Sequence, residues 1–84
     1  MLKVLFFARI REELGCGTLD VPWDPSVADL DALQDQLYQQ HGQRWREVLS
    51  QDNMSRAVNQ SVVSDNCALH DVDEVAFFPP VTGG

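Results

Sequence analysis

Apolar residues along the chain follow two periods, and the switches between them outline an architecture. Residues 2–8 are apolar at nearly every position and rich in Val and Phe, which is a strand pattern. Leu2, Val4, Phe6 and Ala8 share one face of it, and Lys3, Leu5 and Phe7 share the other. The even face reads as core, so Leu5 and Phe7 must be covered by something else. A helical turn over residues 9–14 is expected to end at Gly15, and residues 18–23 read as a second strand closed by Asp24-Pro25.

Ser26 reads as the N-cap of the main helix, with Asp29 three residues later as the acidic member of a capping box. Val27, Leu30, Leu33, Leu37 and Tyr38 recur at helical spacing, while Asp31, Gln34, Asp35 and Gln36 face water. Gly42 stops this helix, with His41 in its last turn. A second helix is expected over residues 43–49 through Trp45, Val48 and Leu49. Ala57-Val58 and Val62-Val63 flank Asn59-Gln60-Ser61, a tight hairpin signal because Asn tolerates positive φ. After a polar loop, residues 74–78 form the last strand.

Two strands, a crossover helix and a closing set of strands make an α+β domain, a mixed sheet with one main helix on one face. The domain is assigned to residues 1–78 and an extended tail to residues 79–84. No repeat, linker or low-complexity segment interrupts it.

Charge narrows the partners. The net charge of −7, from 13 acidic and 6 basic residues, argues against nucleic acid and against anionic membrane as binding surfaces. No apolar stretch approaches a membrane span, and the apolar start runs into Arg9, Arg11, Glu12 and Glu13 without a cleavage signal. Cys16 and Cys67 are read as reduced, structurally neutral thiols of a cytoplasmic protein. Neither they nor His41 and His70 have metal-ligand spacing, so no metal site is assigned. Trp23 and Trp45 are assigned to packing.

The candidate chemistry lies at the end of the chain, where Phe77-Phe78-Pro79-Pro80-Val81-Thr82 leads into Gly83-Gly84. Two residues without Cβ make the thinnest possible probe, and it carries the α-carboxylate at its tip. Six extended residues reach about 20 Å, enough to enter a partner's buried site. Pro79 and Pro80 reduce the entropy lost on ordering the tail, and Thr82 adds stiffness. Phe77 and Phe78 point to opposite sides of the last strand. Phe77 is assigned inward with Val75. Phe78 is assigned outward, to an apolar partner-binding patch with Phe7 and Val62 at the root of the tail. Arg11, just beyond the first strand, is placed at the same interface. Leu5 is assigned to cover by the short helix or a loop.

The final residues, Asp73-Glu74-Val75-Ala76-Phe77-Phe78-Pro79-Pro80-Val81-Thr82-Gly83-Gly84, resemble the end of the small, sulfur-carrying subunit of molybdopterin synthase. Lys3-Val4-Leu5-Phe6-Phe7-Ala8, with Arg11-Glu12 after it, and Ala57-Val58-Asn59-Gln60 resemble the same family. The resemblance implies a β-grasp, ubiquitin-like fold with a flexible Gly-Gly tail. It also implies that an E1-like adenylyltransferase uses ATP to adenylate Gly84, and that a persulfide sulfur donor converts the adenylate to a thiocarboxylate. No cofactor is bound by the carrier itself. The implied acceptor is the cyclic pyranopterin precursor, reached by docking on the large synthase subunit in a 2+2 heterotetramer. The alternatives are the sulfur carrier of thiamine biosynthesis and a ubiquitin-like modifier joined to amines. One departure is visible: Val72 stands between Asp71 and Asp73, where the family usually has Gly. A β-branched residue resists positive φ, so a turn of different shape is expected there.

Overall fold

The computed structural model describes residues 1–79. Five strands form one sheet: β1 (Leu2–Phe6), β2 (Thr18–Val21), β3 (Ser55–Val58), β4 (Ser61–Val63) and β5 (Glu74–Phe78). Their order is β2-β1-β5-β3-β4. The central β1–β5 pair is parallel, and the other pairs are antiparallel. Helices α1 (Ala8–Leu14), α2 (Leu30–His41) and α3 (Gln43–Leu49) join the sheet in a single core. The tail assigned to residues 79–84 lies outside the described residues from Pro80 onward.

Parity decides which residues enter the core. Leu2, Val4 and Phe6 of β1 are buried, as are Val75 and Phe77 of β5. They meet Ile10 of α1, Leu30, Leu33 and Leu37 of α2, and Trp45, Val48 and Leu49 of α3. The Phe6 ring stacks on Phe77 at 5.7 Å and meets Trp45 edge-on at 5.3 Å. Aromatic pairs of this kind add about 0.5–1.5 kcal/mol to the burial itself. Trp45 is therefore a packing anchor. Trp23 is more exposed and donates its indole N–H to the Leu69 carbonyl, at 3.1 Å.

Several boundaries differ from the sequence reading, each for a local reason. β1 stops at Phe6 rather than Ala8, because Ala8 takes φ 55 and turns the chain into α1. Gly15 closes α1 in the left-handed region, its N–H reaching the carbonyls of Arg11 and Glu12. Ser26 is not the N-cap of α2. It lies in a separate 3-10 turn (Pro25–Val27), where its own N–H is taken by the Asp24 carboxylate at 2.7 Å. Asp29 is the true N-cap, accepting the Ala32 N–H at 2.7 Å. The next free amides of α2 are taken from the polar loop: Leu30 N–H by the Cys67 carbonyl and Asp31 N–H by the Asn66 side chain.

The hairpin turn holds two residues, not three: β4 resumes at Ser61, and Asn59 and Gln60 both have positive φ. That is the pattern of a type I′ turn, whose twist suits the flanking strands. Asn59 also binds across to β5, accepting the Glu74 N–H and donating to Asp73, each at 3.0 Å. Val72 does not avoid the left-handed region. It adopts φ 68 in spite of its branched side chain. The turn is held from outside: Asp73 accepts the His70 N–H, and Asp71 accepts the Val72 N–H and pairs with the N-terminal ammonium.

Candidate docking face at the root of the tail

The helices cover one face of the sheet and leave the other open. Strand register assembles that open face from residues far apart in sequence. Leu5 of β1 lies opposite Ala76 of β5, Ala76 opposite Ala57 of β3, and Ala57 opposite Val62 of β4. Four strands thus contribute one apolar row with two alanines in the middle. The small side chains leave a groove of about 870 Å³, lined also by Phe7, Ala8, Gln60, Glu74, Phe78 and Pro79. Phe7 is 47% exposed and Val62 is 70% exposed. Apolar side chains at such exposure, gathered in one groove, make this face a candidate interaction surface.

Phe7, Val62 and Phe78, assigned to a patch from parity, are brought together here. Pro79 is at its edge, so the groove reaches the first residue of the tail. Pro80, Val81, Thr82, Gly83 and Gly84 lie outside the described residues. Arg11 does not line the groove; its side chain lies along Gly17, where an added Cβ would come within 2.8 Å of Arg11 Nε. Leu5, assigned to cover by the short helix or a loop, is half-buried in the groove wall beside Phe7 and Ala8. Ala8, Ala57, Ala76, Gln60 and Glu74 were missed. Ala57 is buried yet stands apart from the core. Its signal is cross-strand register, which a single strand's alternation does not carry.

Among the described residues no cluster of His, Cys, Asp or Glu could hold a metal ion. Cys16 and Cys67 are free thiols. His41 stacks on Trp45 at 3.9 Å, and His70 lies against Asp73. Three carboxyls are held below their ordinary value of 3.8: Asp24 by the Ser26 hydroxyl and N–H, Asp71 by the N-terminal ammonium, and Asp73 chiefly by the Asn59 amide. All three carboxylates brace turns, and the open face is an apolar groove. Its geometry suits docking. No helix among the described residues is long and apolar enough to cross a membrane.

A mixed sheet of this order with helices on one face defines a β-grasp, ubiquitin-like domain. The chain belongs to the ThiS family, matched over residues 4–84, and within it to the small, sulfur-carrying subunits of molybdopterin synthase. It is 47% identical to the molybdopterin synthase sulfur carrier subunit of Escherichia coli K12, over 100% of both chains. Among solved structures it is similar to one chain of the complex of subunits 1 and 2 of the molybdopterin-converting factor from Helicobacter pylori. There the identity is 27%, the TM-score 0.69, and coverage 99% of this chain and 97% of that one. It is also similar to the small archaeal modifier protein 1 of Haloferax volcanii, at 25% identity and a TM-score of 0.73, covering 95% and 97%.

Proposed function

We propose that the protein is the sulfur carrier of molybdopterin synthase, with the Gly84 carboxyl as the group that bears sulfur. The observation that carries this reading is the open apolar face running into the root of a Gly-Gly tail. A docked partner would hold the domain by the groove while the tail reaches inward.

The proposed chemistry follows from the electrophilicity of carbon. A carboxylate resists attack because it is negatively charged, and adenylation supplies a leaving group. The Gly84 carboxylate attacks the α-phosphorus of ATP on an E1-like adenylyltransferase, and pyrophosphate leaves. A persulfide sulfur then bonds to the acyl carbon as AMP departs, and a thiol reduces the remaining S–S bond to free the thiocarboxylate. On the large subunit the thiocarboxylate sulfur bonds to a carbon of the cyclic pyranopterin precursor, which loses an oxygen leaving group. Water hydrolyses the resulting thioester, which leaves sulfur on the pterin and restores the Gly84 carboxylate. The carrier needs no bound cofactor. A large-subunit partner is supported by the Helicobacter pylori complex of subunits 1 and 2, and a 2+2 heterotetramer is the proposed assembly. The free thiols suit a reducing cytoplasm.

The similarity to an archaeal modifier favours a second reading, in which activated Gly84 is joined to amines instead. One experiment separates the two. Incubation with an E1-like adenylyltransferase, ATP and a persulfide donor is expected to raise the intact mass by one oxygen-to-sulfur exchange. An unchanged mass, with amide-linked adducts on partner lysines, would overturn the carrier reading.

A further inference from the structure

Of the 6 basic residues in the sequence, Lys3 is the one lysine; the others are Arg9, Arg11, Arg44, Arg46 and Arg56. The difference matters in a protein whose proposed chemistry runs through an activated carboxyl. A guanidinium stays protonated and is a poor nucleophile, whereas a lysine amine forms an amide with any activated acyl group it meets. The N-terminal amine is ion-paired with Asp71. Lys3 is exposed, and no carboxylate of the described residues lies within ion-pair distance of it.

The position of Lys3 adds to the argument. It projects from β1 on the open side, two residues before Leu5, and its register partners are Asp20 of β2 and Glu74 of β5. Glu74 lines the groove. Arg56, the remaining strand cation, lies on the helix side with Asp31 and Gln34. The open strand face therefore carries two carboxylates and a single cation, Lys3.

We propose that Lys3 is an acylation site at the rim of the docking face, and that its acylation closes that face to the partner. This inference rests on the carrier reading above. The donor class is an activated carboxylate such as an acyl-adenylate. The deprotonated Lys3 Nζ bonds to the acyl carbon, the bond from that carbon to the phosphate oxygen breaks, AMP leaves with the electron pair, and the amine proton passes to water. The product loses the one cation that the described residues place on the open strand face, and it adds bulk beside the groove. The proposed acyl donor is a separate molecule.

The test treats the full-length chain with the amine-specific reagent N-hydroxysuccinimidyl acetate, quenches it, and measures binding to the large synthase subunit by calorimetry. Wild type and Lys3→Arg are treated in parallel, so acetylation of the N-terminal amine is common to both. Treatment is expected to weaken wild-type binding at least tenfold, with the adduct mapped to Lys3, and to leave the affinity of Lys3→Arg where it stood before treatment. Unchanged binding of Lys3-acetylated wild type would overturn the proposal, as would equal weakening of both chains. Failure of the untreated chains to bind would instead refute the carrier reading, and this inference with it.

Discussion

At the scale of single residues, Val72 shows a side chain at odds with its backbone. Its φ of 68 belongs to the left-handed region, which costs an ordinary L-residue about 1–2 kcal/mol and a β-branched one no less. The conformation persists because Asp71 and Asp73 clamp the turn on both sides. Val72→Gly is expected to raise stability by about 1 kcal/mol, less the extra entropy that glycine gives the unfolded chain. Urea denaturation of the two proteins measures it. A midpoint unchanged or lowered by the substitution would show that Val72 makes compensating contacts. The substituted residue was visible in the sequence, but the outcome of the conflict was not. Propensity states what Val prefers, and the neighbouring carboxylates decide what it does.

At the scale of elements, alternation within each strand was enough to sort Leu2, Val4, Phe6, Val75 and Phe77 inward, and Phe7, Val62 and Phe78 outward. The limits of β5 and α3 were equally legible, because strong apolar runs end there at clear breaks. Other features depend on partners distant in sequence. Asp24 captures Ser26, and Cys67 and Asn66 supply caps, so α2 starts later than its own periodicity suggests. The alanine floor of the groove exists only once four strands are in register. Ala76→Leu is therefore expected to raise a ridge through the middle of the groove. Binding to the large subunit should weaken at least tenfold, about 1.4 kcal/mol, while the denaturation midpoint stays close to wild type. Titration calorimetry beside a urea melt reads both; undiminished affinity would remove the groove from the interface.

At the scale of the whole molecule, the turns at Asp24, Asp71 and Asp73 share one acid-sensitive dependence. Each carboxyl has a folded-state pKa below its ordinary 3.8, so in acid the unfolded chain takes up these protons first. Their contribution is fully present above the ordinary value and is lost as pH falls through the folded values. Stability from this source should be level from neutral pH to about 5 and decline below about 4. Urea midpoints across that range test it, with Asp73→Asn expected to flatten part of the acid slope. An unaltered slope would assign the acid sensitivity elsewhere. The net charge of −7 had marked the chain as acidic, but three-dimensional neighbours select which acids matter.

The contrast between Trp45 and Trp23 gives the molecule two optical reporters. Trp45 is enclosed by Phe6 and His41 in the core, while Trp23 stands at the surface, tied to the Leu69 carbonyl. Iodide in solution should darken one emitter and leave the other bright. The shielded emission then follows loss of the whole core, and the accessible emission follows release of the polar loop that caps α2.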